Sequence, residues 1–387
     1  TFNVTKKDIT FSGSRVYDAT TTVSSSDLVT NDTTSGETLA FSGSGTVSSA
    51  NVQNNQSITL GSIAIADGSG GGLASNYNLT TGTFDISQKW VSVGGQKIYD
   101  ATTTVSSSDL EVTGEVTGES ISITGTGSVT DKNVGSGKTI DISGLSLSDG
   151  SHSASNYTIG TTSFAITRRN LSISGEKVYD GTGTVLASQI DTVNTAGGET
   201  LTISGEGSVS LPSVGTNKSI TLNTLGISDG TNGTIGLASN YTLDSGSFDI
   251  TTKPITLTGS RQYDGTTDVA SSDLTLIGQV SGESISITGT GSVTDKNVGA
   301  GKTINTTGLS LADNTSNASN YSLSTGTFTI NNKILSISGT RAYDGSTTVS
   351  SGNISLNGLI GSETLNKSGS VSTSSPNAST YGSASIN

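Results

Sequence analysis

Apolar residues along this chain alternate with small or polar ones at a period of two, over short distances. Ile121 and Ile123 are separated by one residue, as are Ile140 and Ile142, Leu145 and Leu147, Phe164 and Ile166, and Leu171 and Ile173. Alternation of this kind puts one face of a strand into a core and leaves the other in water. The runs are rich in Thr, Ile and Val and are punctuated by Gly, Asn and Asp, which predicts short, half-buried strands joined by tight turns. No helical periodicity competes with them. One stretch is open to a second reading: within Thr20 to Leu28, the run Ser-Ser-Ser-Asp-Leu leaves room for a helical turn capped by Ser24.

The strands belong to an internal repeat, and the repeat sets the organisation. Tyr-Asp recurs at Tyr17-Asp18, Tyr99-Asp100, Tyr179-Asp180, Tyr263-Asp264 and Tyr343-Asp344, in steps of 82, 80, 84 and 80. A Glu follows each Tyr at one fixed spacing: Glu37, Glu119, Glu199, Glu283 and Glu363. Fourteen further on come Asn51, Asn133, Ser213, Asn297 and Asn377; four copies then carry Asp67, Asp149, Asp229 or Asp313, and Ser-Asn-Tyr closes them at Tyr77, Tyr157, Tyr241 and Tyr321. The step from each closing Tyr to the next Tyr-Asp never changes: Tyr77 to Tyr99, Tyr157 to Tyr179, Tyr241 to Tyr263 and Tyr321 to Tyr343.

Only the interval between the Asp and Ser-Asn-Tyr varies, reading GSGGGLA, GSHSA, GTNGTIGLA and NTSNA. A stretch that changes length without shifting its flanks is a surface loop, so residues 68–73 and 230–237 are expected to be exposed. The fixed spacings are framework. Thr1-Phe2-Asn3-Val4-Thr5 matches Thr83-Phe84-Asp85-Ile86-Ser87, and the fifth copy stops before its Asp, as expected for a window on a longer array. The division that follows is 1–7 as the last strand of a preceding copy, 8–89, 90–169, 170–253 and 254–333 as four copies, and 334–387 as a partial fifth. Each copy of about 80 residues is expected to be a small all-β, sandwich-like module. The junctions, such as Lys6-Lys7, Gln88-Lys89 and Arg168-Arg169, hold no linker, which predicts a tandem array in the form of an elongated rod.

Composition narrows the function. The 387 residues include no Cys and one His, His152, so there is no disulfide framework, thiol nucleophile or His-based zinc site. The net charge of −13 disfavours nucleic acid, which needs clustered Lys and Arg. No apolar run approaches the ~18 residues of a membrane span, and no signal-peptide pattern opens the chain, as expected for a mature chain or an excised fragment.

The candidate chemistry is sparse. Tyr-Asp reads as a turn whose Tyr ring packs in the core, with its hydroxyl on a buried partner, and whose Asp bonds the backbone two residues on. Five identical catalytic sites in a row serve no purpose, so a structural role is preferred to a ligand site. A base precedes each Tyr by two residues (Arg15, Lys97, Lys177, Arg261, Arg341), and an ion pair with the Glu of its copy is expected, contributing ~0–1 kcal/mol if exposed. Because Arg alternates with Lys there, the position is not a repeated Lys–Asn cross-link. Gly-x-Gly at Gly43, Gly125, Gly205 and Gly289 lacks the helix and Lys-Ser/Thr of a phosphate loop and reads as a strand with a bulge or close approach. Calcium needs clustered carboxylates, and the Asp residues here are mostly single, so no cofactor is expected, with calcium at the Asp-rich turns as the alternative left open. Sequons such as Asn78-Leu79-Thr80 and Asn240-Tyr241-Thr242 follow from the Ser/Thr-rich composition. A hydrolytic triad would have to use His152, in a variable loop of one copy, so the chain is not expected to be an enzyme.

The strings KVYDGTGTV, SISITGTGSVTDKNVGSGKTI, GLSLSDG and ASNYTL resemble the YDG/MBG-type repeats of large secreted bacterial proteins similar to filamentous haemagglutinins and other two-partner-secretion adhesins. The resemblance covers nearly the whole chain. It implies an extracellular fibre, at the bacterial surface or in a biofilm matrix, in which the repeats form the shaft and carry no catalytic residues. Ala19 and Ala101 stand where the family has Gly, which implies that this turn position need not be Gly-only. The partners expected are further copies of the repeat. Self-association, strand-exchange polymerisation and glycan binding stay open as alternatives, although Trp90 is the only Trp and offers no repeated platform.

Overall fold

The computed structural model describes residues 1–382. Its contacts fall into two units. The first comprises Thr1–Ser172, Thr192–Thr202 and Ile227–Asp244; the second takes in Ile173–Asp191, Ile203–Gly226 and the chain from Ser245 onwards. The chain is all-β, and copy two shows how the sequence builds a module.

Its opening strand, Lys89–Ile98, lies beside its closing strand, Tyr157–Thr167, in parallel register from Tyr157 opposite Lys89 to Thr167 opposite Ile98. Leu110–Thr113 pairs antiparallel outside the opening strand, and Gly135–Lys138 outside the closing strand, giving a four-stranded sheet. A second sheet joins Thr104–Ser106, Ile140–Asp141 and Leu145–Asp149 to the long strand Ile121–Val129. Val93, Leu110, Phe164 and Ile166 face Val105, Val129, Ile140 and Leu145 across the core. The period-two pattern is therefore a two-layer sandwich. Copy one has the same four-stranded sheet, with Phe11, Phe84 and Ile86 in its core, and copy four packs Leu257, Phe328 and Ile330 likewise.

Gly-x-Gly does what a strand pair of glycines suggests. Gly125 has φ +94°, and a Cβ at Gly127 would lie 2.8 Å from the Asp141 carbonyl oxygen of the neighbouring strand, so the chain comes this close there only without a side chain. The outer strand against the closing strand is bulged in all four full copies, between Gln53 and Gln56, Gly135 and Lys138, Gly215 and Lys218, and Gly299 and Lys302. A bulge on an edge strand hinders pairing with another chain.

The stretch after Tyr-Asp contains one 3₁₀ turn, Ser25–Asp27 in copy one and Ser107–Asp109 in copy two. Ser24 makes no capping bond, whereas the Ser106 hydroxyl accepts one from the Ser108 N–H at 3.4 Å. A second 3₁₀ turn, Ala-Ser-Asn, leads into each closing Tyr. The Asp before the variable interval caps it: Asp67, Asp149 and Asp229 accept from the N–H of Ala74, Ala154 and Ala238 at 2.8 Å, and Asp313 from that of Ala318 at 2.7 Å. One carboxylate thus closes loops of different length, which is why both flanks hold their places. The loops are largely exposed, apart from Gly72, Gly230 and Gly236.

The strand expected over residues 1–7 is not formed. Residues 1–6 lie outside regular structure, Phe2 and Val4 are exposed, and the first strand begins at Lys7. Closing strands elsewhere are held between their own opening strand and the bulged strand, and residues 1–6 have neither neighbour among the described residues.

Candidate functional site

Each opening strand delivers its Tyr to the end of the parallel pair. The Tyr17 N–H donates to the carbonyl of Ser87, the last residue of the closing strand, and Tyr99, Tyr179 and Tyr263 repeat the bond to Thr167, Thr251 and Asn331, all at 2.9 Å. The chain then turns sharply. Asp18, Asp100, Asp180, Asp264 and Asp344 each accept from the N–H two residues on, at 2.9–3.0 Å. The residue between is left-handed, with φ +80° at Gly181 and +77° at Gly265. Ala19 and Ala101 are left-handed too, at +63° and +65°, so the turn does ask for positive φ and these alanines carry strain of about 1 kcal/mol each.

The turn aims the Tyr ring out of its own module and into the next. The Tyr17 hydroxyl donates to Glu119 of copy two at 2.7 Å, and Tyr157, which closes copy two, donates to the other oxygen of the same carboxylate. Between copies two and three, Tyr99 and Tyr241 both donate to Glu199 at 2.7 Å. Between copies three and four, Tyr179 and Tyr321 both donate to Glu283 at 2.5 Å. The paired rings meet edge to face, with centroids 5.4–5.5 Å apart. Each closing Tyr also accepts an N–H three residues before its Glu, from Val116, Ala196 or Val280, at 3.1–3.2 Å.

The Asn of Ser-Asn-Tyr completes the contact. Asn156, Asn240 and Asn320 are buried, and their side-chain oxygens accept from the N–H of Val52, Val134 and Val214 of the preceding copy at 2.9–3.0 Å. Asn156 and Asn240 also donate to Asn51 and Asn133, at 3.0 and 2.9 Å. The sequon at Asn240 is therefore closed within the junction. Tyr263 bonds Glu363, extending the series to copy five. At the ends, Glu37 accepts from Tyr77 of its own copy, and the Tyr343 ring is exposed.

A model of the YDG domain matches residues 3–84, 88–164, 167–248 and 250–328. The chain belongs to the YDG domain family. No curated protein matches it. The repeated Tyr, Glu and Asn-Tyr of its YDG modules are thus the parts of a junction, each drawn from two successive copies.

The base before each YDG Tyr does not pair with Glu, as its spacing suggested. Arg15, Lys97, Lys177, Arg261 and Arg341 pair with Asp18, Asp100, Asp180, Asp264 and Asp344, three residues on. The Lys97 ammonium is 2.9 Å from Asp100, 3.1 Å from the Thr102 carbonyl and 2.6 Å from the Thr104 carbonyl, with its side chain buried. A built-in cation thus fills the turn where Asp and carbonyl oxygens converge, and the Glu is left to the tyrosines. Among the described residues, no three of His, Cys, Asp and Glu are grouped as metal ligands.

Burial, followed by the hydrogen bond to Glu, pushes the phenols of Tyr99 and Tyr241 up, and those of Tyr157 and Tyr179 up to about 12. For Glu199 burial works towards protonation, but the donors Lys132, Tyr241 and Tyr99 outweigh it and hold the carboxyl below its usual range. Both carboxylate oxygens are thereby occupied in the three junctions that have two tyrosines. Such a group fastens one module to the next. The Asn of Ser-Asn-Tyr is the functional residue that the spacing alone left unassigned, and its signal was the constant step across the boundary, from closing Tyr to the next Tyr-Asp.

Proposed function

We propose that these YDG modules form the shaft of a secreted bacterial surface adhesin or biofilm matrix fibre. They hold a binding head away from the cell and carry out no catalysis themselves. The observation that carries the reading is the buried Tyr–Glu–Tyr contact, built three times over by successive copies. A shaft must resist bending and pulling at each boundary, and a desolvated carboxylate with two phenol donors does so at fixed geometry. The Ser- and Thr-rich, acidic and Cys-free composition suits an extracellular fibre that stays dispersed. No helix among the described residues is long and apolar enough to cross a membrane. Self-association by strand addition is the weaker reading, since the outer strands are bulged in all four full copies.

Small-angle scattering tests the shaft. The chain is expected to give a radius of gyration well above the ~21 Å of one compact body of this length. A value close to that figure overturns the reading.

A further inference from the structure

The framework recurs from copy to copy, so a solvent-facing departure from it is a candidate for added function. Copy two carries one on the outer face of its four-stranded sheet. Trp90 stands where sister copies have Asp8, Asn170, Pro254 and the exposed Ile334, and Gly94 where they have Ser12, Ser174, Thr258 and Ser338. Trp90 is 76% exposed. Its ring base lies over Gly160, where an added Cβ would come within 3.1 Å of the Trp90 Cβ, so the strand beneath gives the indole room. Gly94 is not in the left-handed region, and an added Cβ would lie 3.0 Å from the Ser163 carbonyl oxygen, so the glycine also eases a close approach of the closing strand.

The register defines what surrounds the ring. Trp90 is opposite Thr158; Ser92 lies between Thr113 and Thr161; Gly94 lies between Glu111 and Ser163. The Ser92 and Thr161 hydroxyls are 2.7 Å apart. From Trp90 to the Gly94–Glu111 step is about 13 Å along the strand. An exposed ring at one end, hydroxyls in the middle and a carboxylate beside a gap left by glycine match a sugar chain: its apolar C–H face stacks on the indole and its hydroxyls bond to Ser, Thr and Glu. Glu111 and the chain's net charge of −13 repel acidic sugars.

We propose that the Trp90 face of copy two is a single binding site for a short stretch of neutral glycan, two or three sugars long. This site stands whether or not the shaft reading holds, because it rests on copy two alone.

Trp90 is the only Trp, so its emission reports the site directly in the full chain. Cellotetraose, mannotetraose and N-acetylchitotetraose are titrated in turn, with tetragalacturonate as the acidic comparison. At least one neutral tetrasaccharide is expected to shift the emission saturably, with Kd of about 0.1–1 mM. The matching calorimetric heat is expected to vanish in Trp90→Asn with melting unchanged, and to weaken about tenfold in Gly94→Ser. The proposal is overturned if none of the three shifts the emission up to about 10 mM. It is equally overturned if Trp90→Asn keeps the heat, or if tetragalacturonate binds as tightly as the neutral sugars.

Discussion

Glu199, between copies two and three, and Glu283, between copies three and four, sit in the same cage of two tyrosines but differ in their balance of charge. Glu199 also receives the Lys132 ammonium at 2.8 Å, and Asn133 accepts from Asn240. The matching residues at the next boundary are Pro212 and Ser213, so Glu283 has neither that cation nor an Asn–Asn bond beside it. The hydrogen-bond frame is therefore what the repeat fixes, and the counter-charge is an addition to one boundary. Glu283, held by two phenols alone, shows that the frame closes without an ion pair. The ion pair at Glu199 makes that boundary costlier to damage, because removing one partner leaves the other buried or half-buried and unpaired.

The largest expected contrast tests that difference. Glu199→Gln strips the partly exposed Lys132 of its partner and is expected to cost about 2 kcal/mol. Glu283→Gln keeps an acceptor for the tyrosines and is expected to cost about 1 kcal/mol. Hydrogen exchange on the full chain, read at the strands flanking each junction, gives both values. Equal losses would show that Lys132 is a bystander, and Lys132→Met combined with Glu199→Gln should then recover nothing. With the coupling proposed here, the pair should recover part of the loss.

A second contrast uses pH. A free phenol loses its proton near pH 10, while the Tyr179 phenol in its junction holds on to about 12. In that window the folded chain binds more protons than the unfolded one, so stability falls as pH rises from 10 towards 12. Tyr179→Phe removes one of the two phenols, leaving Tyr321, and is expected to reduce this fall at the boundary of copies three and four while leaving it in place at Tyr99. An unchanged alkaline profile in Tyr179→Phe would place the titrating group elsewhere.

Much of the fold could be read from the residues. Alternation at Ile121–Ile123 and Phe164–Ile166 marked the strands, the changing interval after Asp67 and Asp229 marked the loops, and the Tyr-Asp spacing marked the modules. What could not be read was which copy supplies the partner of each Tyr. In a periodic chain Tyr17 is followed by Glu37 in its own copy and by the equivalent Glu119 in the next, and spacing alone gives both the same standing. The same ambiguity drew the base towards Glu, although Asp100, three residues after Lys97, closes the ion pair within one turn. The parallel pairing of opening and closing strands settles the matter, because it sends the Tyr past the end of its own sheet. The left-handed alanines Ala19 and Ala101 were hidden for a different reason: strain of this size is offset by the surrounding hydrogen bonds and leaves no mark in the local pattern.

The smallest effect sharpens the comparison from the other side, by adding rather than removing. At the boundary of copies three and four, Asn320 accepts from the Val214 N–H at 3.0 Å. At the two preceding boundaries the equivalent amide also donates to Asn51 or Asn133, and here Ser213 stands in their place. Ser213→Asn supplies the acceptor for a group already held in position, so little further ordering is needed. A gain of about 1 kcal/mol is expected, seen as slower exchange around Val214 and Tyr321 with no change at Glu199. If the new side chain gives no protection while Glu283→Gln still loosens the same strands, then the tyrosine cage alone sets the strength of the boundary, and the Asn–Asn bond elsewhere fixes alignment without adding stability.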